Sequence, residues 1–460
     1  MAIVAQVRNR FTRRNILFFG IWTLVALGVR VLFFFKFRMM TDDSFIYGDI
    51  AKNWLQHRVY GQVFNHVPEP TYIRMPGYPL FLILVWLVAG VEHYTAVLIA
   101  QIAIDILTCF VVADLARRIA GQRASKIAFV LTALCPFTAN YTVVPLTETL
   151  AIFCAAVALD AGVAALQKPD RRRAWIVCGV SLACGILLRP DGGILLAVFV
   201  GYALILAYKK GSRAIATGAV LASVIALLPL IPWTIRNWRA FHEFQPLTPF
   251  SATMPGEFVP DGFQRWSRTW IADYSSLEDV WFKVEGSEVT IGDLPPRAWD
   301  DEAQRQQTDQ LLQAYVADDN RVSPELDAQF QSLAQERIHR HPLRYYFGLP
   351  FMRAADLWLR PRTEMLPIDP HWWRLSEDDP PQFWSAVALG AVNLFLIVAA
   401  LVALLRRKVA YAGLFIVFAL SRTAFLAWMP NPEPRYVLEC YPALLAVASC
   451  IFEPATRHTG

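Results

Sequence analysis

The chain has few charged residues and no nucleotide-binding motif. Only 18% of its 460 residues are charged, against about a quarter in ordinary soluble domains. Neither G-x-x-x-x-G-K-[ST] nor G-x-G-x-x-G occurs, so a nucleotide-driven pump or a nucleotide-sugar site has no support. The net charge of +5 is small for this length and predicts no nucleic-acid partner. With 55% hydrophobic residues, the composition indicates a membrane protein.

Cysteine and histidine give no sign of a disulfide framework or a metal centre. All seven cysteines fall inside apolar runs, and none lies in the long polar segment after residue 235. The histidines show no metal-ligand spacing, and no H-E-x-x-H is present. We therefore predict no metal site built from these residues.

Ten apolar runs approach the length of about 20 residues that a membrane span needs. A further run, 79–90, is too short to cross, and we expect it to lie on the surface. The predicted fold is an all-α polytopic membrane protein with about ten transmembrane helices, extracytoplasmic juxtamembrane helices and a long outer loop between spans 7 and 8. The predicted spans are 16–35, 94–115, 127–144, 149–166, 174–188, 193–208, 215–233, 383–405, 409–428 and 437–452.

Basic residues sort onto one side of the membrane if residues 79–90 do not cross. The loops on the N-terminal side then carry the basic clusters at 117–126, 168–173, 209–213 and 406–408. This is the positive-inside pattern, which assigns these loops to the cytoplasm. Nearly every motif-like cluster falls on the opposite face, where we expect the chemistry. The short cytoplasmic loops favour a bacterial inner membrane, with the site facing the periplasm.

The spans divide the chain into three predicted parts. Residues 1–235 form an N-terminal transmembrane catalytic module that includes the first outer loop, 36–93. Residues 236–381 form an extracytoplasmic region with an amphipathic interfacial helix near its end. The irregular composition of 236–381 predicts no independent domain, and the sequence assigns no role to its middle, 255–335. Transmembrane helices of the C-terminal part, 382–460, complete the chain.

Two adjacent carboxylates, Asp42 and Asp43, open the first outer loop, and Tyr47 follows Asp43 by one helical turn. A carboxylate just outside the bilayer can deprotonate an acceptor hydroxyl. It can also bind a divalent cation such as Mg²⁺ or Mn²⁺, although no cofactor is certain. The structural alternative is a helix N-cap, because an acidic residue before a helix satisfies free N–H groups.

Several arginines lie on the outer side, against the topological trend. Arg74 precedes a Pro-Gly-Tyr-Pro turn and can either hold a phosphate bidentately or anchor to lipid headgroups. Arg236 and Arg435 stand at outer span ends, where positive charge favours an anionic partner.

Glu148 and Arg189 lie at the outer mouths of two spans. An acid at membrane depth is usually functional or paired, although Glu148 also fits a first-turn acid favoured by the helix dipole. Arg189 is separated from Asp191 by one proline, so a local ion pair that closes a turn is the simpler explanation.

Taken together, six motifs resemble the integral-membrane glycosyltransferases of the GT-C superfamily, in particular the family 39-like branch of protein mannosyltransferases and bacterial aminoarabinose or hexose transferases. They occur in one order and on one face of the membrane. The motifs are DDSFIYGDIA, RMPGYPLFL, PLTETLAIF, GILLRPDGGILL, PWTIRNWRAF with FQPLT, and EPRYVLECYPALL.

The resemblance implies roles for individual residues. It places the catalytic base on Asp43, with Asp42 as a neighbour that orients it or binds a cation. Arg74 corresponds to the basic residue that contacts the lipid phosphate. Many members have Asp-Glu where this chain has Asp43-Ser44, so Asp42, Asp49 or Glu148 is a candidate second acid. We add Arg236 and Arg435 to the predicted phosphate site, and assign substrate binding to the following residues: Tyr47, Tyr78, Glu148 and Arg189.

The predicted function is an inverting transfer of a monosaccharide, a hexose or pentose, from a polyprenyl-phosphate donor to an acceptor hydroxyl. Its predicted partners are that donor, membrane lipids and an acceptor that is a glycan, a lipid or a protein. One alternative is a flippase or transporter for polyprenyl-linked glycans, which requires charged or broken helices near mid-membrane. Asp105 and Arg30 are charged residues inside spans that fit this alternative. Another alternative is an O-antigen ligase or polymerase, which shares the outer arginines.

Overall fold

The computed structural model describes residues 13–249, 251, 253–254 and 256–452. Predicted parts that fall on residues 1–12 and 453–460 lie outside these ranges. Within them the chain is mainly helical, with one antiparallel two-stranded sheet.

The helices and strands before residue 254 form the first membrane helix, the first outer loop and the membrane part that follows it. They are α1 (Arg13–Lys36), α2 (Asp42–His57), β1 (Gly61–Phe64), β2 (Val67–Pro70), α3 (Gly77–Ala89), α4 (Tyr94–Ile119), α5 (Gln122–Leu134), α6 (Pro136–Tyr141), α7 (Glu148–Gln167), α8 (Arg172–Leu188), α9 (Gly193–Lys210), α10 (Arg213–Leu227) and α11 (Leu230–Phe241).

The later helices include the polar outer segment and the C-terminal apolar helices. They are α12 (Asp261–Ser267), α13 (Glu302–Ala317), α14 (Pro324–Arg340), α15 (Leu349–Leu359), α16 (Pro380–Arg406), α17 (Ala412–Trp428) and α18 (Tyr441–Ser449). Shorter helical turns are Pro190–Gly192, Tyr274–Ser276, Leu277–Trp281, Ile291–Asp293, Pro296–Ala298, Arg344–Gly348, Trp372–Arg374, Pro434–Cys440 and Cys450–Phe452.

Seven segments among the described residues are long and apolar enough to cross a membrane. The predicted class, an all-α polytopic membrane protein, is confirmed. The other three predicted spans are not among the seven, because α8 and α17 have 17 residues each and the 127–144 run is broken. The seven segments are Arg14–Lys36, Tyr94–Ile119, Glu148–Gln167, Pro190–Lys210, Arg213–Phe241, Pro380–Arg406 and Pro434–Phe452.

The break in the 127–144 run has a local cause. Helix α5 ends at Leu134 and the short α6 begins at Pro136, whose ring removes a backbone N–H and prevents the helix from continuing. The 127–144 run therefore contains two helices in place of one, and hydropathy does not register this break.

The chain divides into two compact units. The first takes the chain up to Met254 together with Leu394–Ala419 and the chain from Leu438 onward. The second comprises Pro255–Asn393 and Leu420–Val437. The three-part division at residues 235 and 381 was drawn from hydropathy and stays a prediction.

The second unit has a core of its own, which the irregular composition of 255–335 did not predict. Trp266 is fully buried and packs against Phe330 at 4.9 Å between ring centroids. Asp327 accepts hydrogen bonds from the amides of Gly262 and Phe263, so its carboxylate satisfies free N–H groups at the start of α12. Scattered aromatic residues thus form a core that no regular periodicity reveals.

Helix α3 has 13 residues and is apolar on all sides. At 1.5 Å per residue its length is about 20 Å, well short of the hydrocarbon thickness of about 30 Å. Leu84, Leu87 and Val88 are exposed, whereas Tyr78, Leu82 and Trp86 are buried. The helix is too short to cross, and its position on the membrane surface stays a prediction.

Candidate active site

Helix α2, which carries the two adjacent carboxylates, begins with a capping box that uses neither of them. Thr41 is the N-cap: its Oγ1 accepts a hydrogen bond from the Ser44 amide at 3.4 Å, and its own amide donates to Ser44 Oγ at 3.2 Å. Asp42 and Asp43 occupy the first turn, where the helix dipole favours negative charge. The N-cap alternative for these two acids was therefore wrong, because the threonine one position earlier takes that role.

Asp43 forms an ion pair with Arg74, 31 residues further along the chain. Arg74 Nη2 donates to Asp43 Oδ1 at 2.7 Å, and the two side chains are 21% and 27% exposed. The Arg74 guanidinium also lies 5.9 Å from the centroid of the Tyr47 ring. The fold thus brings the predicted base, the predicted phosphate ligand and one predicted substrate residue together at a site that solvent can reach.

Tyr47 and Tyr78 form the buried floor of this site. Their ring centroids are 5.0 Å apart in an edge-on arrangement. Burial raises the pKa of Tyr47 to about 12, and nearby Arg74 acts in the opposite direction. Burial also raises the pKa of Tyr78, so both phenols are neutral at pH 7.

The Tyr78 hydroxyl forms a hydrogen bond with the side chain of Gln101 in α4. It donates to Gln101 Oε1 at 2.7 Å, and Gln101 Nε2 donates to the carbonyls of Thr142 and Val144 at 3.1 and 2.8 Å. These bonds tie α3 to the corner that precedes Glu148. They favour a supporting role for Tyr78, whose assignment to substrate binding stays a prediction.

Glu148, Arg189 and Asp191 meet in one cluster, which the sequence predicted only in part. Arg189 lies 3.2 Å from carboxylate oxygens of both Glu148 and Asp191. Glu439, which precedes α18, lies 3.5 Å from the same guanidinium. The local ion pair expected across Pro190 is present, but the arginine also joins three separate segments of the chain.

Arg236 occupies the base of the β1–β2 hairpin. Its Nη1 donates to the Thr71 carbonyl at 2.7 Å and its Nη2 donates to the Tyr60 carbonyl at 2.5 Å. Its guanidinium lies between 5.1 and 5.4 Å from the ring centroids of three aromatic residues: Tyr60, Trp233 and Phe241. These contacts are with the protein's own backbone and rings, so they do not favour the predicted phosphate role.

Arg435 belongs to the second compact unit. Its Nε lies 2.6 Å from Glu433 Oε2, and the Tyr436 hydroxyl donates to Glu433 Oε1 at 2.6 Å. The EPRY motif therefore forms a local cluster in which the acid holds both the arginine and the tyrosine. The phosphate role of Arg435 stays a prediction.

Two other first-loop acids have different surroundings. Asp42 is exposed, whereas Asp49 accepts hydrogen bonds from Asn53 Nδ2 at 3.1 Å and from the Val63 amide at 2.8 Å. Asp49 thus fastens the hairpin to α2, which makes it an unsuitable second acid.

A cation site made wholly of protein side chains gathers several acidic, histidine or cysteine ligands at one point. The described residues contain no group of three or more His, Cys, Asp or Glu side chains that could hold a metal ion. Binding of Mg²⁺ or Mn²⁺ stays a prediction.

Sequence reasoning missed the supporting residues of the site. Gln101 looks like an ordinary polar residue within an apolar helix, and Tyr60 follows the helix end without any motif. A polar side chain in a span is a usable signal, because its amide must find partners in the bilayer. No comparable signal marks Tyr60, whose contacts come from segments far apart in the sequence.

Comparison with known proteins gives one family match. Residues 69–235 match the profile of the family described as dolichyl-phosphate-mannose-protein mannosyltransferase. This range includes Arg74, Glu148 and Arg189 and ends just before Arg236. No curated protein sequence matches the chain.

Solved structures share the fold. AglB, the oligosaccharyltransferase from Archaeoglobus fulgidus in complex with an inhibitory peptide and a dolichol-phosphate, has a TM-score of 0.52 at 13% identity over 95% of this chain. The same enzyme in complex with Zn and sulfate has a TM-score of 0.51 at 13% identity over 94% of this chain. The chain spans about half the length of AglB, at 50% and 48% in the two comparisons.

ArnT from Cupriavidus metallidurans, bound to undecaprenyl phosphate, aligns with 94% of this chain and 77% of its own, at 16% identity and a TM-score of 0.42. The profile match over 69–235 and the fold shared with AglB confirm the resemblance of this chain to the glycosyltransferases of the GT-C superfamily.

Proposed function

We propose that this protein is an inverting glycosyltransferase. It transfers a monosaccharide, a hexose or pentose, from a polyprenyl-phosphate donor to an acceptor hydroxyl. The observation that carries the proposal is the 2.7 Å pair between Arg74 Nη2 and Asp43 Oδ1 in the first outer loop. The description of the matching family and the dolichol-phosphate in the AglB complex support a lipid-phosphate donor.

The chemistry needs one base and one anion ligand. Asp43 accepts the proton of the acceptor hydroxyl while the hydroxyl oxygen attacks C1 of the sugar. The bond from C1 to the phosphate oxygen breaks, and its electron pair leaves with the phosphate. Arg74 stabilises the charge that grows on the departing phosphate. No carboxylic acid needs to protonate the leaving oxygen, and attack from the opposite face inverts the anomeric centre.

The ion pair also links donor binding to base activation. While Arg74 holds Asp43, one carboxylate oxygen already accepts a hydrogen bond from the guanidinium. A donor phosphate competes for the same guanidinium donors and draws Arg74 away from Asp43. The base is then available only when the leaving group is in place, which limits the side reaction with water.

Helix α3 supports the path of the lipid chain. It begins three residues after Arg74, and its exposed side includes Leu80, Leu84 and Val88. An apolar surface at this position fits a polyprenyl tail whose phosphate reaches Arg74. We place the site on the periplasmic face of a bacterial inner membrane, because the four basic loops fall on the other side.

The two charged residues named for the transporter alternative form a buried ion pair. Arg30 and Asp105 lie 2.6 Å apart and are both buried, and Arg30 also donates to the carbonyls of Ala133 and Thr132. A charge pair that closes the end of a broken helix has a structural role. No specific contact favours the ligase or polymerase alternative.

The first test is the release of free polyprenyl phosphate from a polyprenyl-phosphate hexose by the purified protein. Asp43→Asn keeps the size of the side chain and removes the base. We expect release to fall by about 10²- to 10⁴-fold, the usual contribution of a general base. Glu69→Gln is the matched control, because Glu69 is an exposed acid of the same loop.

Release that rises with added acceptor in the wild type and the control, and is lost in Asp43→Asn, supports the proposal. An Asp43→Asn variant as active as the wild type overturns the role of Asp43. A wild type that binds the lipid but releases nothing from several different sugars overturns the transferase.

A further inference from the structure

We propose that Arg236 is a positioning residue that holds the first outer loop in the geometry that sets Arg74 beside Asp43. The inference rests on the proposed function, and it replaces the phosphate-binding role that the sequence suggested for Arg236. Arg236 contacts the first outer loop through the backbone carbonyls of Tyr60 and Thr71 and through the Tyr60 ring.

The guanidinium bridges the two ends of the β1–β2 hairpin. Tyr60 precedes β1 and Thr71 follows β2, and the carbonyls of both accept hydrogen bonds from Arg236. The Thr71 amide in turn donates to the Tyr60 carbonyl at 3.0 Å. One planar side chain of α11 thus closes the open end of a hairpin that has only four residues in each strand.

The surroundings of Arg236 suit a guanidinium and not an ammonium. Trp233 and Phe241 lie on the same helix, and their ring centroids, like that of Tyr60, are within 5.4 Å of the guanidinium carbon. A planar cation with several donors can stack on rings and bridge two carbonyls at once. A lysine keeps the positive charge but cannot stack on the rings and bridge both carbonyls at once. Arg236→Lys therefore tests the role of the planar guanidinium separately from that of the charge.

Tyr60 carries the effect to the site. Its ring is 5% exposed and packs against Trp54 and Trp233 at 5.2 and 5.0 Å between centroids. Its hydroxyl donates to the Arg74 carbonyl at 2.9 Å. Arg236 holds the backbone of Tyr60, Tyr60 holds the backbone of Arg74, and the Arg74 side chain reaches Asp43.

The hairpin has a second attachment, on the side of α2. Asn53 Nδ2 donates to the Gly61 carbonyl at 3.1 Å, and Asp49 accepts from the Val63 amide. Helix α2 also carries Asp43, so the hairpin connects the base to α11. Loss of Arg236 leaves the hydrogen bonds between the hairpin and α2 intact. We therefore expect the variant protein to remain folded, with the first outer loop displaced.

The kinetic test compares Arg236→Lys and Arg236→Gln with Arg239→Gln. Arg239 is an exposed arginine on the same helix, so its variant controls for charge. We expect both Arg236 variants to lose about 10- to 100-fold in kcat/KM, as misplacement of reacting groups by about 1 Å can do, with no rescue by lysine. Partial rescue by lysine, with a weaker donor KM as the main defect, indicates a phosphate ligand and overturns the proposal.

A double-mutant comparison uses Arg74→Gln as the background. If Arg236 acts through Arg74, then Arg236→Lys costs little further activity once Arg74 is gone. Equal losses in the two backgrounds mean that Arg236 acts independently, which also contradicts the proposal.

Hydrogen exchange tests the positioning without any catalysis. Arg236→Gln should speed exchange in peptides that cover residues 60–75, including the Thr71 amide, and Arg239→Gln should not. Tyr60→Phe is a milder variant that removes only the bond to Arg74; it should lower activity while exchange at Thr71 stays slow. Unchanged exchange in Arg236→Gln overturns the positioning role. Faster exchange together with an inactive wild type supports the positioning role and rejects the glycosyltransferase.

Discussion

Asp43 and Asp356 show two ways in which this fold holds a carboxylate. Asp43 is partly exposed and has an arginine at 2.7 Å, so its charge is paired where solvent can reach it. Asp356 of α15 accepts a hydrogen bond from the Tyr274 amide at 3.0 Å. Burial raises the pKa of Asp356 to about 6, and the nearby Arg360 opposes this only in part.

The raised pKa of Asp356 predicts a pH-dependent stability. The folded state binds the proton more tightly than the unfolded state, so the contribution of Asp356 is most favourable below pH 4 and is lost as the pH rises to about 6. A pKa of about 6 in place of about 4 corresponds to at most about 3 kcal/mol at neutral pH. We expect Asp356→Asn to raise the thermal midpoint in detergent at pH 7.5 relative to the wild type, with little gain at pH 4.5.

Asp378→Asn is the matched control for this prediction, because Asp378 is an exposed aspartate of the same unit. Its midpoint should follow the wild type at every pH. An Asp356→Asn variant that is less stable than the wild type at both pH values contradicts the assignment.

At the scale of elements, the contact between α3 and α8 depends on a missing side chain. A Cβ on Gly77 would lie 2.6 Å from the carbonyl oxygen of Leu187 and 2.9 Å from the amide nitrogen of Leu188. Both are backbone atoms, so neither can move aside as a flexible side chain could. We expect Gly77→Ala to cost about 1–3 kcal/mol of stability and to lower transferase activity, because α3 begins three residues after Arg74.

Thermal unfolding in detergent measures this cost. Gly201→Ala in α9 is the control, since a Cβ at that position meets no atom within 4 Å and alanine is the better helix former. Equal midpoints for Gly77→Ala and the wild type would show that α3 and α8 separate without cost.

Hydropathy located the long helices well and the broken ones poorly. It placed the span at 94–115 inside α4 (Tyr94–Ile119) and the span at 149–166 inside α7. An unbroken apolar run in a bilayer forms an α-helix, because the helix satisfies all its backbone hydrogen bonds internally. Hydropathy missed the break at Pro136. There, an arginine of another helix donates hydrogen bonds to backbone carbonyls at the end of α5. The closing partner is Arg30, more than 100 residues earlier, and no local pattern contains that information.

The candidate site was predictable to the same extent. The family motifs pointed to Asp43 and Arg74 as single residues but not to the ion pair between them. The Arg189–Asp191 contact followed from spacing. The capping by Thr41, the amide of Gln101 and the hairpin contacts of Arg236 depend on geometry between distant segments. Arginine can bind phosphate or backbone carbonyls equally well, so its residue type alone does not distinguish the two.

For the whole molecule, the predicted orientation in the membrane decides on which side the candidate site lies. We expect Glu69→Cys to react with a membrane-impermeant maleimide in intact cells, because the hairpin belongs to the predicted first outer loop. Asp170→Cys lies in a predicted cytoplasmic loop and should react only after permeabilisation. The native cysteines lie in apolar segments, so the wild type gives the background. The reverse labelling pattern would place the candidate site in the cytoplasm.

The buried pair of Arg30 and Asp105 has a consequence for biosynthesis. Arg30 lies in α1, and an arginine inside an isolated span disfavours insertion, by about 2.5–3.5 kcal/mol when it is at the helix centre. The groups that compensate it are made later: the carboxylate of Asp105 comes 75 residues afterwards, and the Ala133 carbonyl comes 103 residues afterwards. Helix α1 is therefore only marginally held in the bilayer until α4 and α5 have emerged, so residues that are translated later fix its position.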